Sequence, residues 1–217
     1  MKFDCYTISF CPGSSGRFIH TILFNMIMGN NEAITFTKHN DAHYTNVEMQ
    51  VKNADPSVHD IYETLEFNKH PSKVLVTHRY PKFDVIYDRF NQNMGVILIS
   101  LTPSDLYEVL YNSFLKNRNL KLDINNINRY IEYKQNEWKQ FIQPVLDDRI
   151  NVLVLEYSKL FEYTHGQYTI LTKLEQFTGL TASEGVVETF KNYATGRQKL
   201  IDSDMPWLYE LQRNLDK

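Results

Sequence analysis

Two short stretches of the chain hold residue types that do chemistry. Pro12-Gly13-Ser14-Ser15-Gly16-Arg17 is a run of small residues ending in a cation. Small side chains let successive backbone N–H groups curl around an anion, and a helix that starts there adds its positive end. The lysine that follows the second glycine of a nucleotide-triphosphate loop is absent, so the run reads either as an anion cradle or as a plain strand-to-helix turn. Val76-Thr77-His78-Arg79-Tyr80-Pro81 sets His78 at the end of an apolar run. A histidine there serves as a general base, since its unperturbed pKa of about 6.5 is close to working pH, or as a hydrogen-bonded strand end. His39, Asp41 and His43 match no metal-ligand spacing and lie in an Asn-rich polar stretch, so no metal site is expected.

These residues need elements to hold them. Cys5 to Phe10 is β-prone, the small-residue run breaks it, and Phe18, Ile22, Leu23 and Ile27 then recur at helical spacing as far as the Gly29-Asn30-Asn31 stop. A short strand fits Ala33 to Thr37. Lys73 to His78, Gly95 to Leu101 and Asn151 to Glu156 are nearly continuous apolar runs of the kind that parallel strands make when both faces are buried. Helices fit the segment after Ser104, Ile124 to Leu146 with an end near Pro144, Tyr168 to Phe177, and Glu184 to Tyr193. Gly196-Arg197-Gln198-Lys199 reads as a loop before a short final helix. The alternation predicts an α/β fold with a central parallel sheet flanked by helices, ligands meeting the carboxyl ends of the strands. Ser14 to Arg17, His78 and Thr102 to Ser104 would converge there.

Composition narrows the class. A length of 217 residues with 42% hydrophobic and 13% aromatic content supports one core, hence a single domain over 1–217 with a polar substrate segment near 39–71. Lys plus Arg at 23 against Asp plus Glu at 26 leaves a net charge of -3, which gives no global field for nucleic acid or an anionic membrane. No run approaches the roughly 20 apolar residues of a membrane span. The start, Met1-Lys2-Phe3-Asp4, carries no targeting pattern, and two cysteines without zinc or redox spacing fit a reducing compartment, so a cytoplasmic protein is expected.

In order, these pieces resemble the sulfotransferases that use 3′-phosphoadenosine 5′-phosphosulfate (PAPS), a variant of the P-loop NTPase-like architecture. Ser15-Gly16-Arg17-Phe18 is similar to the family's Ser-Gly-Thr-Thr-Trp turn around the 5′-phosphosulfate, and Thr77-His78 with Pro81 is similar to its Thr-His-x-Pro. GVILISLTPSDLYEVLYNSF resembles the strand, turn and helix that hold the 3′-phosphate, and NVLVLEYSKLFEY with LTKLEQFTGL resembles a further strand, turn and helix. The resemblance implies PAPS as donor, no metal, His78 as catalytic base and Arg17 as the cation on the transferring group. It implies cofactor contacts from Ser14, Ser15, Gly16, Arg17 and Phe18, with Tyr157 beside the adenine. Ser14 stands where the family has a lysine, Leu101 where it has the 3′-phosphate arginine, and Val109 where it has a serine. Arg197, with Lys199, is then the remaining cation for that phosphate.

The reaction implied is transfer of a sulfuryl group to a hydroxyl or amine of a small-molecule or carbohydrate acceptor. A non-catalytic nucleotide- or anion-binding module on the same fold is the alternative. A small-molecule kinase fits less well, because no Walker lysine and no Mg²⁺-binding hydroxyl follow the loop.

Overall fold

A computed structural model describes residues 1–34, 74–110, 129, 132 and 138–204. Its centre is a four-stranded sheet of β1 (Cys5–Ser9), β2 (Val74–Thr77), β3 (Met94–Ser100) and β4 (Asn151–Glu156), in the order β2-β1-β3-β4 with every pair parallel. The apolar runs become strands for the reason their composition suggests. All of β1 and β3 is buried, and β4, at one edge of this sheet, opens toward solvent.

Parallel register brings the strand ends to one edge. Ser9 faces Thr77 on one side and Leu98 on the other, and Ser100 faces Glu156. The chain leaves β1 for a strand on one side and returns to lay β3 on the other. In open α/β sheets ligands bind at the carboxyl ends of the strands where the strand order reverses, which here is beside β1.

Helices cover both faces. Alternate residues of β1 point into different clusters: Tyr6 and Ile8 pack with Ile19, Ile22 and Leu23 of α1 (Gly16–Met28), whereas Cys5 packs with Ile86 of α2 (Phe83–Phe90), Met94 and Val96. Helix α1 stops as its Gly-Asn-Asn signal predicts: Gly29 takes a left-handed φ of 63° that ends the helix without a Cβ penalty. A short α3 (Asp105–Leu110) follows β3, and α4 (Thr169–Thr178) and α5 (Glu184–Asp204) follow β4. Cys5 and Cys11 are both buried thiols.

Gly196 to Lys199 is no loop, since α5 runs through it to Asp204. A helical glycine costs about 1 kcal/mol relative to alanine. Here buried Phe190 and Tyr193 anchor the helix before Gly196, and Arg197 anchors it after, so the helix continues. The sequence reading also passed over a hairpin of β5 (Tyr163–Thr164) and β6 (Gln167–Tyr168), whose turn residues His165 and Gly166 both have positive φ, 51° and 84°. Ala33 and Ile34 lie outside any strand, and the remainder of that expected strand falls outside the described residues. So do His39, Asp41, His43, the 39–71 segment, Tyr130 and Tyr133. Of the helix expected over 124–146, residues 129, 132 and 138–142 are helical and Pro144 lies past the end; Trp138 and Phe141 are core residues.

The start of α5 is pinned to the turn after α1. Ser183 Oγ donates to the Asn30 carbonyl at 2.5 Å, and the Ile34 N–H donates to Thr189 Oγ1 at 2.8 Å. A Cβ at Gly185 would fall on the Asn31 carbonyl, which is backbone and cannot rotate away. Gly185→Ala therefore costs about 1–3 kcal/mol, the scale of an overpacked contact. A urea unfolding curve reads it as a lower midpoint with unchanged slope; an unchanged midpoint contradicts the close approach.

Candidate functional site

The small-residue loop joins β1 to α1. Gly13 and Ser15 both take positive φ, 92° and 60°, and Ser15, with ψ 17°, is the residue from which the helix starts. A non-glycine residue in that region is uncommon, and loops that curl this way turn successive N–H groups inward. The first intrahelical bond runs from the Ile19 N–H to the Ser15 carbonyl at 3.1 Å. The N–H groups of Gly16, Arg17 and Phe18 occupy the turn where a helix supplies no carbonyl of its own. The Ser15 side chain makes no capping bond there among the described residues.

Ser14 differs from its neighbours. Its hydroxyl donates to the Cys11 carbonyl at 2.7 Å, its N–H donates to the same oxygen at 3.1 Å, and the residue is fully buried. Both its donors are spent within the loop. Phe18 contributes backbone only: its ring is buried, stacked on Tyr193 with centroids 3.9 Å apart. Arg17 is half-buried in the first turn.

His78 follows β2, next to the loop. The Phe10 N–H donates to the Thr77 carbonyl at 3.0 Å, the Ser9 hydroxyl donates to the Arg79 carbonyl, and the Arg79 N–H donates to Thr77 Oγ1 at 3.2 Å. These bonds carry the β1–β2 pairing past the strand ends. Between imidazole and loop stands Phe10, which the sequence reading did not single out. Its ring meets His78 edge to face, with centroids 4.6 Å apart, and lies so close over Gly16 that a Cβ there would penetrate it. Gly16 is thus needed for close approach, and one aromatic ring sets the spacing between His78 and the start of α1. Its only sequence signal is an aromatic residue placed directly after a strand and before a run of small ones.

The other half of the edge lies beyond β3 and β4. The Thr102 N–H donates to Asp105 Oδ2 at 2.6 Å while the Asp105 N–H donates to the Thr102 carbonyl at 3.1 Å, a reciprocal clasp that opens α3. Burial pushes the Asp105 carboxyl above its ordinary range, and the Thr102 bonds oppose that shift. One turn on, Glu108 is buried and receives two donors on one oxygen: the Tyr157 hydroxyl at 2.7 Å and an Arg197 terminal nitrogen. The Arg197 guanidinium also lies over the Phe161 ring, 4.6 Å from its centroid, and over Tyr157 at 5.6 Å. Arg197 Nε is buried with no hydrogen-bond partner among the described residues. Burial first, then the Glu108 charge, holds the Tyr157 phenol well above its ordinary pKa. Burial works against the Arg197 charge, yet Tyr157 and Glu108 outweigh it and its pKa rises.

Tyr157 and Arg197 are therefore neighbours, as are His78 and the loop. Aromatic packing bridges the two pairs: Phe161 sits 6.0 Å from Phe18 and 5.9 Å from Tyr193, centroid to centroid. Leu101 and Val109 are core residues that offer a phosphate nothing. Glu108, like Phe10, escapes sequence reasoning, and its Arg197 partner lies 89 positions away.

No protein-family model matches the chain, and no curated protein is significantly similar to it. Among the described residues no group of three or more metal-ligating side chains forms, and no helix is long and apolar enough to cross a membrane.

Proposed function

We propose that the chain is a PAPS-dependent sulfotransferase, transferring a sulfuryl group to a hydroxyl or amine of a small-molecule or carbohydrate acceptor. The observation that carries this reading is the adjacency of the curled loop and His78 at neighbouring strand ends, held apart by one buried ring. An anion cradle beside a base is what transfer of an anionic group to a hydroxyl needs. The order of motifs along the chain supports the same reading.

The bound donor supplies the activated sulfuryl group. The N–H groups of Ser15 to Phe18 and the Arg17 guanidinium bind and orient the phosphosulfate oxygens and hold charge on the leaving phosphate. His78 takes the proton of the acceptor as the new S–O or S–N bond forms and the bond to the 5′-phosphate breaks.

A non-catalytic nucleotide- or anion-binding module is the second reading. The self-bonded Ser14 and the Glu108-paired Arg197 favour it, because each removes a group the donor would use.

Calorimetric titration with 3′-phosphoadenosine 5′-phosphate tests both. Saturable binding is expected, with amide resonances of Gly16, Arg17 and Phe18 shifting in step and inorganic sulfate competing. No binding, with those amides unmoved, overturns the donor site.

A further inference from the structure

The last paired position of β1 and β2 carries two hydroxyls. Ser9 faces Thr77 across the ladder, both residues are buried, and both bond to one residue beyond the strand end. Ser9 Oγ donates to the Arg79 carbonyl, and Thr77 Oγ1 accepts from the Arg79 N–H at 3.2 Å. Apolar side chains would serve the sheet as well at this depth, since burying a hydroxyl costs free energy that its hydrogen bond only offsets.

The residue these bonds enclose is His78. The peptide before it is held through the Thr77 carbonyl, which accepts from the Phe10 N–H at 3.0 Å. The peptide after it is held through the Arg79 N–H, and the next one through the Arg79 carbonyl. With the peptide planes on both sides of its Cα fixed, His78 has one direction for its Cβ. The edge-to-face contact with Phe10 then restricts the rotation of the ring itself.

We propose that Ser9 and Thr77 are positioning residues whose hydroxyls hold the His78 imidazole in one orientation beside the loop, a role that rests on His78 as the base and deepens that reading. A base held in this way has its geometry set before the acceptor arrives, and a misplacement of about 1 Å at such a group costs up to about 10²-fold in rate.

Three variants separate orientation from stability. Ser9→Ala removes the bond to the Arg79 carbonyl. Thr77→Val keeps the shape of the side chain and loses the acceptor for the Arg79 N–H, whereas Thr77→Ser keeps the hydroxyl. The ring C–H resonances of His78, which lie in the ring current of Phe10, are expected to move toward free-histidine values in Ser9→Ala and Thr77→Val and to stay near the native ones in Thr77→Ser. That readout needs no substrate. Unmoved resonances in both Ser9→Ala and Thr77→Val overturn the proposal whatever their rates, and if one of the two fails to fold the other decides.

Rates with PAPS and phenol as the hydroxyl probe give the second readout. Ser9→Ala and Thr77→Val should each lose about 10-fold or more in kcat with KM for PAPS held within about twofold, and Thr77→Ser should recover most of that loss. Combined with His78→Ala, neither substitution should slow transfer further, because each acts through the imidazole. An added loss in those pairs is what a merely structural role gives, and it overturns the proposal. Native rates in Ser9→Ala and Thr77→Val alongside a slow His78→Ala sink this inference alone, while a His78→Ala as fast as the native chain sinks the base assignment and this inference with it.

Discussion

Replacing His78 with alanine is expected to lower turnover by about 10² or more, the scale of losing a positioned general base. The imidazole stands at the end of β2, edge to face with the Phe10 ring that covers Gly16 of the loop. Nucleotide affinity should therefore hold within about twofold, and the loss should appear in kcat. His78→Asn tests the same point with a side chain that keeps hydrogen bonding but cannot accept the proton at neutral pH; it should be as slow as alanine. Steady-state rates with a genuine acceptor, alongside calorimetric affinities, separate the two quantities. Full activity in either variant removes His78 from the chemistry.

The second large effect is on stability. Arg197→Met leaves Glu108 buried, still bonded to Tyr157 but without its cation, and breaking a buried pair by removing one partner costs about 3–5 kcal/mol. Replacing both residues, Glu108→Met with Arg197→Met, should recover most of that loss, because the desolvation of both charges disappears together. Equilibrium unfolding of the two single variants and the pair gives the coupling directly. Equal destabilisation by Arg197→Met and by the double variant would mean that the ion pair adds nothing beyond its packing.

Much of the fold was legible because burial on both faces leaves a plain trace. The runs VLVT, GVILIS and NVLVLE have few polar residues to confuse them, and each is a strand within a residue of its expected bounds. Their parallel pairing followed from the helical spacing between them. Local signals failed where a distant partner decides the outcome. Gly196 looks like a break until Arg197 is seen docked on Glu108 and Phe161. Glu108 looks like an ordinary helix-surface acid, because nothing within ten residues of it announces Tyr157 or Arg197. Phe10 looks like the last residue of a strand, and its role emerges only when β2 carries His78 alongside. Ser14 shows the same limit: the sequence has a hydroxyl in a loop, and the fold turns it onto its own Cys11 carbonyl.

The fit of the Phe10 ring over Gly16 makes positions 10 and 16 a single unit of inheritance. No side chain can appear at 16 while an aromatic ring stands at 10, and a small residue at 10 leaves a hole under 16 and a wall missing beside His78. Viable lineages of this chain must therefore change the two positions together or not at all. Any library meant to reshape the acceptor side of His78 has to randomise them as a pair, since every single-site path passes through a clash or a void.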